Sequence, residues 1–137
     1  MESDLLYLVK FIVLLIIFIV ACIFDLKKRI VPNKIWLFAI LMALPLNVYE
    51  YILLKYNLIN PLLWIAFIFV ISYAMYLFDF FGGADVKALV TLAIFFPAYP
   101  KFFCFPLLNF HFSLAFATLS NSVIFAPIIL LFFLSLI

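Results

Sequence analysis

Apolar residues run along this chain in long blocks, and the polar ones sit in short groups between them. The first block extends from about Leu5 to Phe24, is broken only by Lys10, and ends at Asp25. About 20 mostly apolar residues make a helix long enough to cross a bilayer core of roughly 30 Å, so this block predicts a first membrane span. The flexible stem of Lys10 can carry its charge toward the nearer interface. The polar stretch Asp25 to Lys34 is expected to be the first loop, with Pro32 placed to end or restart a helix. A second span follows from about Ile35 to Leu54. In it Pro45 and Asn47 predict a kink whose freed backbone groups face other helices or water.

Lys55 to Asn60 reads as a second loop, and Pro61 opens a third span that reaches about Phe80. The third loop begins near Asp79 and holds Gly82 and Gly83, the only two glycines of the protein. A fourth span starts at about Asp85 and runs to Phe96, where Pro97 and Pro100 break it, and a last apolar segment from about Leu114 to Ile137 is long enough for a fifth. The expected fold is therefore all-α, a polytopic transmembrane helical bundle of four to five spans. No Gly/Ser-rich linker, internal repeat or low-complexity tract divides it, so residues 1–137 read as a single membrane-embedded domain. Leu5 to Phe24 is longer than the apolar core of a usual signal peptide and no small-residue cleavage motif follows it, so this span is expected to stay in the mature protein.

Composition rules out a water-soluble fold. Hydrophobic residues make up 72% of the chain and charged ones 10%, against roughly 45–50% and 25% in soluble domains. The net charge of +2 is small and its basic residues cluster beside helix ends, which argues for topology signals rather than a nucleic-acid surface. Lys27, Lys28, Arg29 and Lys34 all lie in the first loop, and the positive-inside rule makes that loop cytoplasmic. Counting spans then returns the Gly82-Gly83 loop, with Lys87, to the same side. Loops one and three share a membrane face whichever way the protein is inserted, and so do Asp25 and Asp85. Cys22 and Cys104 fall at opposite faces in this topology, too far apart to bridge, and read as small apolar fillers.

A carboxylate at the edge of an apolar span is costly unless it is hydrated or paired, and Asp25, Asp79 and Asp85 all sit there. Each alone has a plain explanation as a helix cap. Two carboxylates brought to one face can instead share a proton, one activating water while the other protonates a carbonyl, which hydrolyses peptide bonds without a metal or cofactor. Gly82 and Gly83 supply backbone freedom for a tight turn just before Asp85. Lys87 either favours the ionised carboxylate, holds substrate backbone, or simply sets topology. Asp79 reads as an interfacial or supporting carboxylate. His111 lacks a second ligand for a metal, and no serine has a His partner for a triad.

Two motifs resemble those of the type IV prepilin and archaeal preflagellin peptidases, membrane aspartyl peptidases of the GxGD class. One is Asp25-Leu26-Lys27-Lys28-Arg29-Ile30-Val31-Pro32-Asn33, an aspartate at the end of a span followed by a basic loop and Pro-Asn. The other is Gly82-Gly83-Ala84-Asp85-Val86-Lys87-Ala88-Leu89. The likeness covers about residues 5 to 96. It implies that Asp25 and Asp85 form the catalytic pair, with Gly82, Gly83, Lys87, Pro32 and Asn33 in support, and that no metal or cofactor takes part. The implied partner is a membrane-protein precursor with a class III, pilin-like leader, cut at the cytoplasmic face of the cell membrane.

There are departures from the family pattern. Ala84 stands where GxGD has its second glycine, which matters if that residue needs positive φ. Members usually have about six or more spans, and nothing here corresponds to the cysteine-rich cytoplasmic domain or the N-methyltransferase activity of the larger bacterial enzymes. The compact form looks more like an archaeal enzyme. A presenilin-like protease is disfavoured because Phe24, not Tyr, precedes Asp25. Two non-enzymatic roles also fit a small membrane bundle. One is a truncated, inactive relative acting as a membrane assembly partner; the second is an unrelated small transporter, for which only the Pro45-Asn47 region offers a hint.

Overall fold

The computed structural model describes residues 2–55, 57–98 and 113–135. The expectations for Cys104 and His111 lie outside the described residues. Five α-helices occur among them: α1 (Glu2–Lys28), α2 (Asn33–Leu54), α3 (Ile59–Leu77), α4 (Gly83–Phe95) and α5 (Leu114–Leu134). Of these, α1, α2 and α3 are long and apolar enough to cross a membrane. The 13 residues of α4 rise only about 20 Å, short of a bilayer core.

The first loop is shorter than the sequence suggested. Helix α1 continues through Asp25, Leu26, Lys27 and Lys28, leaving Arg29 to Pro32 as the connection. Nothing in those four residues opposes a helix, and two lysines in the last turn suit the negative end of the helix dipole. Arg29 then turns left-handed (φ 52°), while its N–H still donates to the Asp25 carbonyl at 2.7 Å. Pro32 is the N-cap of α2, with φ −60° and ψ 137°. Helix α2 carries Pro45 and Asn47, the positions where the sequence suggested a kink, within its continuous span Asn33–Leu54.

Helix α3 ends earlier than expected, at Leu77 rather than near Phe80. The Phe80 N–H donates to the Met75 carbonyl and the Asp79 N–H to the Tyr76 carbonyl, with Asp79 left-handed at φ 58°. This is a Schellman closure in which Asp79 occupies the position usually given to glycine. Asp tolerates that conformation better than most side chains, which is a structural reason for the residue at this position.

The interior is organised around α4, which packs against each of the other four helices. Leu92, Ala93, Phe95 and Phe96 meet Leu14 and Ile17 of α1, Ala39 and Ala43 of α2, Ile68 of α3 and Ala115 of α5. Burial in lipid gives no water-driven preference for the interior, so close packing must hold such helices together. Ala39, Ala43, Ala93 and Ala115 are fully buried and let backbones approach closely. Large apolar side chains such as Phe38, Leu41, Phe69 and Val70 point outward, as a lipid-facing surface requires.

Candidate active site

Asp25 lies in the last turn of α1 and Asp85 in the first turn of α4, and both are exposed. Two side-chain contacts fix which ends of the helices meet. Lys87 Nζ donates to Asn33 Oδ1 at 2.7 Å, joining the start of α4 to the start of α2. Asn47 Nδ2 donates to the Ile94 carbonyl at 2.7 Å, joining the later parts of the same two helices. Helices α2 and α4 therefore run parallel. Helix α1 runs against both, because Lys10 near its start meets Glu50 near the end of α2. Asp25, Pro32, Asn33, Gly82, Gly83, Asp85 and Lys87 consequently gather at one end of the bundle. Both sequence motifs are there, joined directly by the Lys87–Asn33 bond.

The Asp85 carboxylate folds back over the start of its own helix and accepts the Gly82 N–H at 3.1 Å. This half of a capping box satisfies one of the orphan N–H groups of α4 and puts a negative charge at the positive end of the helix dipole. The Asp25 carboxylate accepts no hydrogen bond from a described residue, which leaves its oxygens open to water. Lys87 is bonded to Asn33 rather than to Asp85.

The glycines act differently from the expectation. Neither adopts positive φ, and Gly82 is extended at φ −69°, ψ 155°. Proximity constrains Gly82: an added Cβ would come within 3.2 Å of Asp85 Oδ2. At Gly83 the same atom would rest 3.8 Å from the Tyr76 ring, an ordinary contact. Ala84 lies inside α4 and is not among the residues with positive φ, so alanine there carries no backbone strain.

A second polar group sits at the other end of the bundle, and sequence reasoning missed it. Lys10 is not carried to an interface; it is fully buried. Its ammonium pairs with Glu50 Oε2 and donates to Asn47 Oδ1 at 2.6 Å and to the Phe95 carbonyl at 3.3 Å. Tyr7 Oη donates to the other Glu50 oxygen at 3.2 Å. The available signal was hairpin symmetry: Lys10 lies 18 residues before the end of α1 and Glu50 lies 17 after the start of α2. Antiparallel spans joined by a short loop place two such positions at one depth.

Among the described residues no group of three or more His, Cys, Asp or Glu side chains could hold a metal ion. The architecture is thus a helical bundle of membrane-spanning type with two aspartates and a Pro-Asn turn collected at one end. Residues 12–137 match the type IV leader peptidase family, and the chain belongs to that family. Neither a curated protein nor a solved structure matches it.

Proposed function

We propose that this protein is a membrane aspartyl endopeptidase that removes the short basic leader from type IV pilin-like or archaellin-like precursors at the cytoplasmic face. The family match carries this reading, and the Lys87–Asn33 bond supports it by holding the two aspartate-bearing motifs together. Asp25 and Asp85 are the working carboxylates. One removes a proton from water while the other protonates the scissile carbonyl oxygen, so the pair works while holding a single proton between them. Asp85 must then exchange its bond from the Gly82 N–H for water or substrate during the cycle. The exposure of both carboxylates suits a substrate whose extended leader arrives from the aqueous side while its apolar helix stays in lipid. Lys27, Lys28, Arg29, Lys34 and Lys87 at this end support a cytoplasmic position for it.

Membranes containing the protein, mixed with a panel of pilin-like precursors, test the reading, with mass spectrometry locating any cut. The expected product begins at the junction between the basic leader and the apolar helix. If the folded wild-type protein cuts none of the panel, the family member is an inactive assembly partner instead.

A further inference from the structure

Helix α4 is too short to cross a bilayer, so its last carbonyls end among other helices, where unpaired backbone groups are costly. The Ile94 carbonyl is met by Asn47 from α2 and the Phe95 carbonyl by Lys10 from α1. A cation also complements the negative end of the α4 dipole. Glu50 offsets the lysine charge, and Tyr7 occupies the second oxygen of Glu50. The three N–H donors of the ammonium are matched by three oxygens, from Asn47, Glu50 and Phe95, which argues for an anchor rather than a ligand site.

We propose that Lys10, Asn47 and Glu50 are positioning residues: by gripping the Ile94 and Phe95 carbonyls they fix the depth of α4 and thereby place Asp85 at its other end. Asp85 and Phe95 lie ten residues apart on one rigid helix, about 15 Å. A shift at the anchored end moves the carboxylate by a comparable amount, and displacements of about 1 Å at a reacting centre lower rates by up to about a hundredfold. The link to catalysis rests on the leader-peptidase reading; the link to helix depth does not.

The test separates the two. The double variant Lys10→Met/Glu50→Met leaves no lone buried charge, so the bundle can still pack, but it releases the Phe95 carbonyl. Two quantities are read in the full chain in membranes: kcat and KM for a pilin-like precursor, and the alkylation rate of Ala84→Cys by a water-soluble maleimide with Cys22 and Cys104 replaced by serine. The positioning role predicts a fall in kcat of at least tenfold with KM within twofold, and a change in alkylation rate of at least threefold. A merely structural ion pair would lower the amount of folded protein and leave both quantities unchanged, and that result overturns the proposal. If the wild-type protein cuts no precursor, an altered alkylation rate in the double variant supports the anchor and removes the peptidase reading alone. If the double variant does not accumulate, Asn47→Leu keeps the Lys10–Glu50 ion pair, removes the bond to the Ile94 carbonyl together with the one Asn47 accepts from Lys10, and must move both quantities in the same sense. An unchanged kcat and alkylation rate in a folded Asn47→Leu protein counts against the anchor.

Discussion

Removing one partner of the Lys10–Glu50 pair should cost far more than removing both. With Lys10→Met, Glu50, a residue only 3% exposed, is left deep in the bundle without its cation, with Tyr7 Oη as its remaining donor from the cluster. Leaving one member of a buried pair unpartnered typically costs about 3–5 kcal/mol, whereas exchanging both members for apolar residues of similar volume is often neutral or stabilising. Glu50→Gln retains an acceptor for Lys10 but leaves its cation uncompensated, so it should fall in the same range. The double variant Lys10→Met/Glu50→Met should lie within about 2 kcal/mol of wild type, despite freeing the Phe95 carbonyl, which itself costs about 1–3 kcal/mol when buried. The expected coupling is about 3 kcal/mol or more, the signature of groups in direct contact. Thermal unfolding of the detergent-solubilised protein reads it: at about 3 °C per kcal/mol for a chain of this size, each single variant should melt about 10 °C or more below wild type. Additive effects, or single variants within about 1 kcal/mol of wild type, would refute the claim that these charges are buried together.

The other end of the bundle yields three further expectations. Gly82→Ala crowds Asp85 Oδ2 at 3.2 Å and should lower cleavage, whereas Gly83→Ala meets only an ordinary contact and should raise stability by about 0.4–1 kcal/mol with cleavage retained; a kinetic and melting comparison of the two checks this. Asp79→Gly should stabilise by roughly 1 kcal/mol by relieving the left-handed cap, and Asp79→Val should destabilise by about 1–2 kcal/mol, both in folded protein that still cuts precursor. Lys87→Met breaks the bond to Asn33 at an exposed site, so melting should move by less than about 1 kcal/mol while cleavage falls several-fold.

The helices were legible because lipid demands long apolar runs, and α4 was placed within two residues of its observed start and one of its end by Gly82, Gly83 and Pro97. The shared face of Asp25 and Asp85 followed from span parity alone, and the parallel course of α2 and α4 agrees with it. Three features were not legible, each for a physical reason. A basic tetrapeptide looks like a loop when charge is weighed, but Lys27 and Lys28 are good helix formers at a helix end that favours cations. Paired glycines suggest unusual φ, but Gly82 is constrained by the carboxylate packed against it rather than by its own dihedrals. A lone lysine in a span suggests a reach for water. Its true partner, Glu50, lies 40 residues away and becomes its neighbour only when the α1–α2 hairpin closes.

Purified Asp25→Asn and Asp85→Asn proteins, compared with wild type on one pilin-like precursor, test whether Asp25 and Asp85 perform the hydrolysis together. Asn at position 85 keeps an oxygen that can accept the Gly82 N–H, so the start of α4 should survive the exchange and the loss will report on chemistry. Each single variant should melt close to wild type while cleavage falls at least a thousandfold, about 4 kcal/mol of transition-state stabilisation. Cleavage within tenfold of wild type in either variant would remove that residue from the reacting pair and contradict the account.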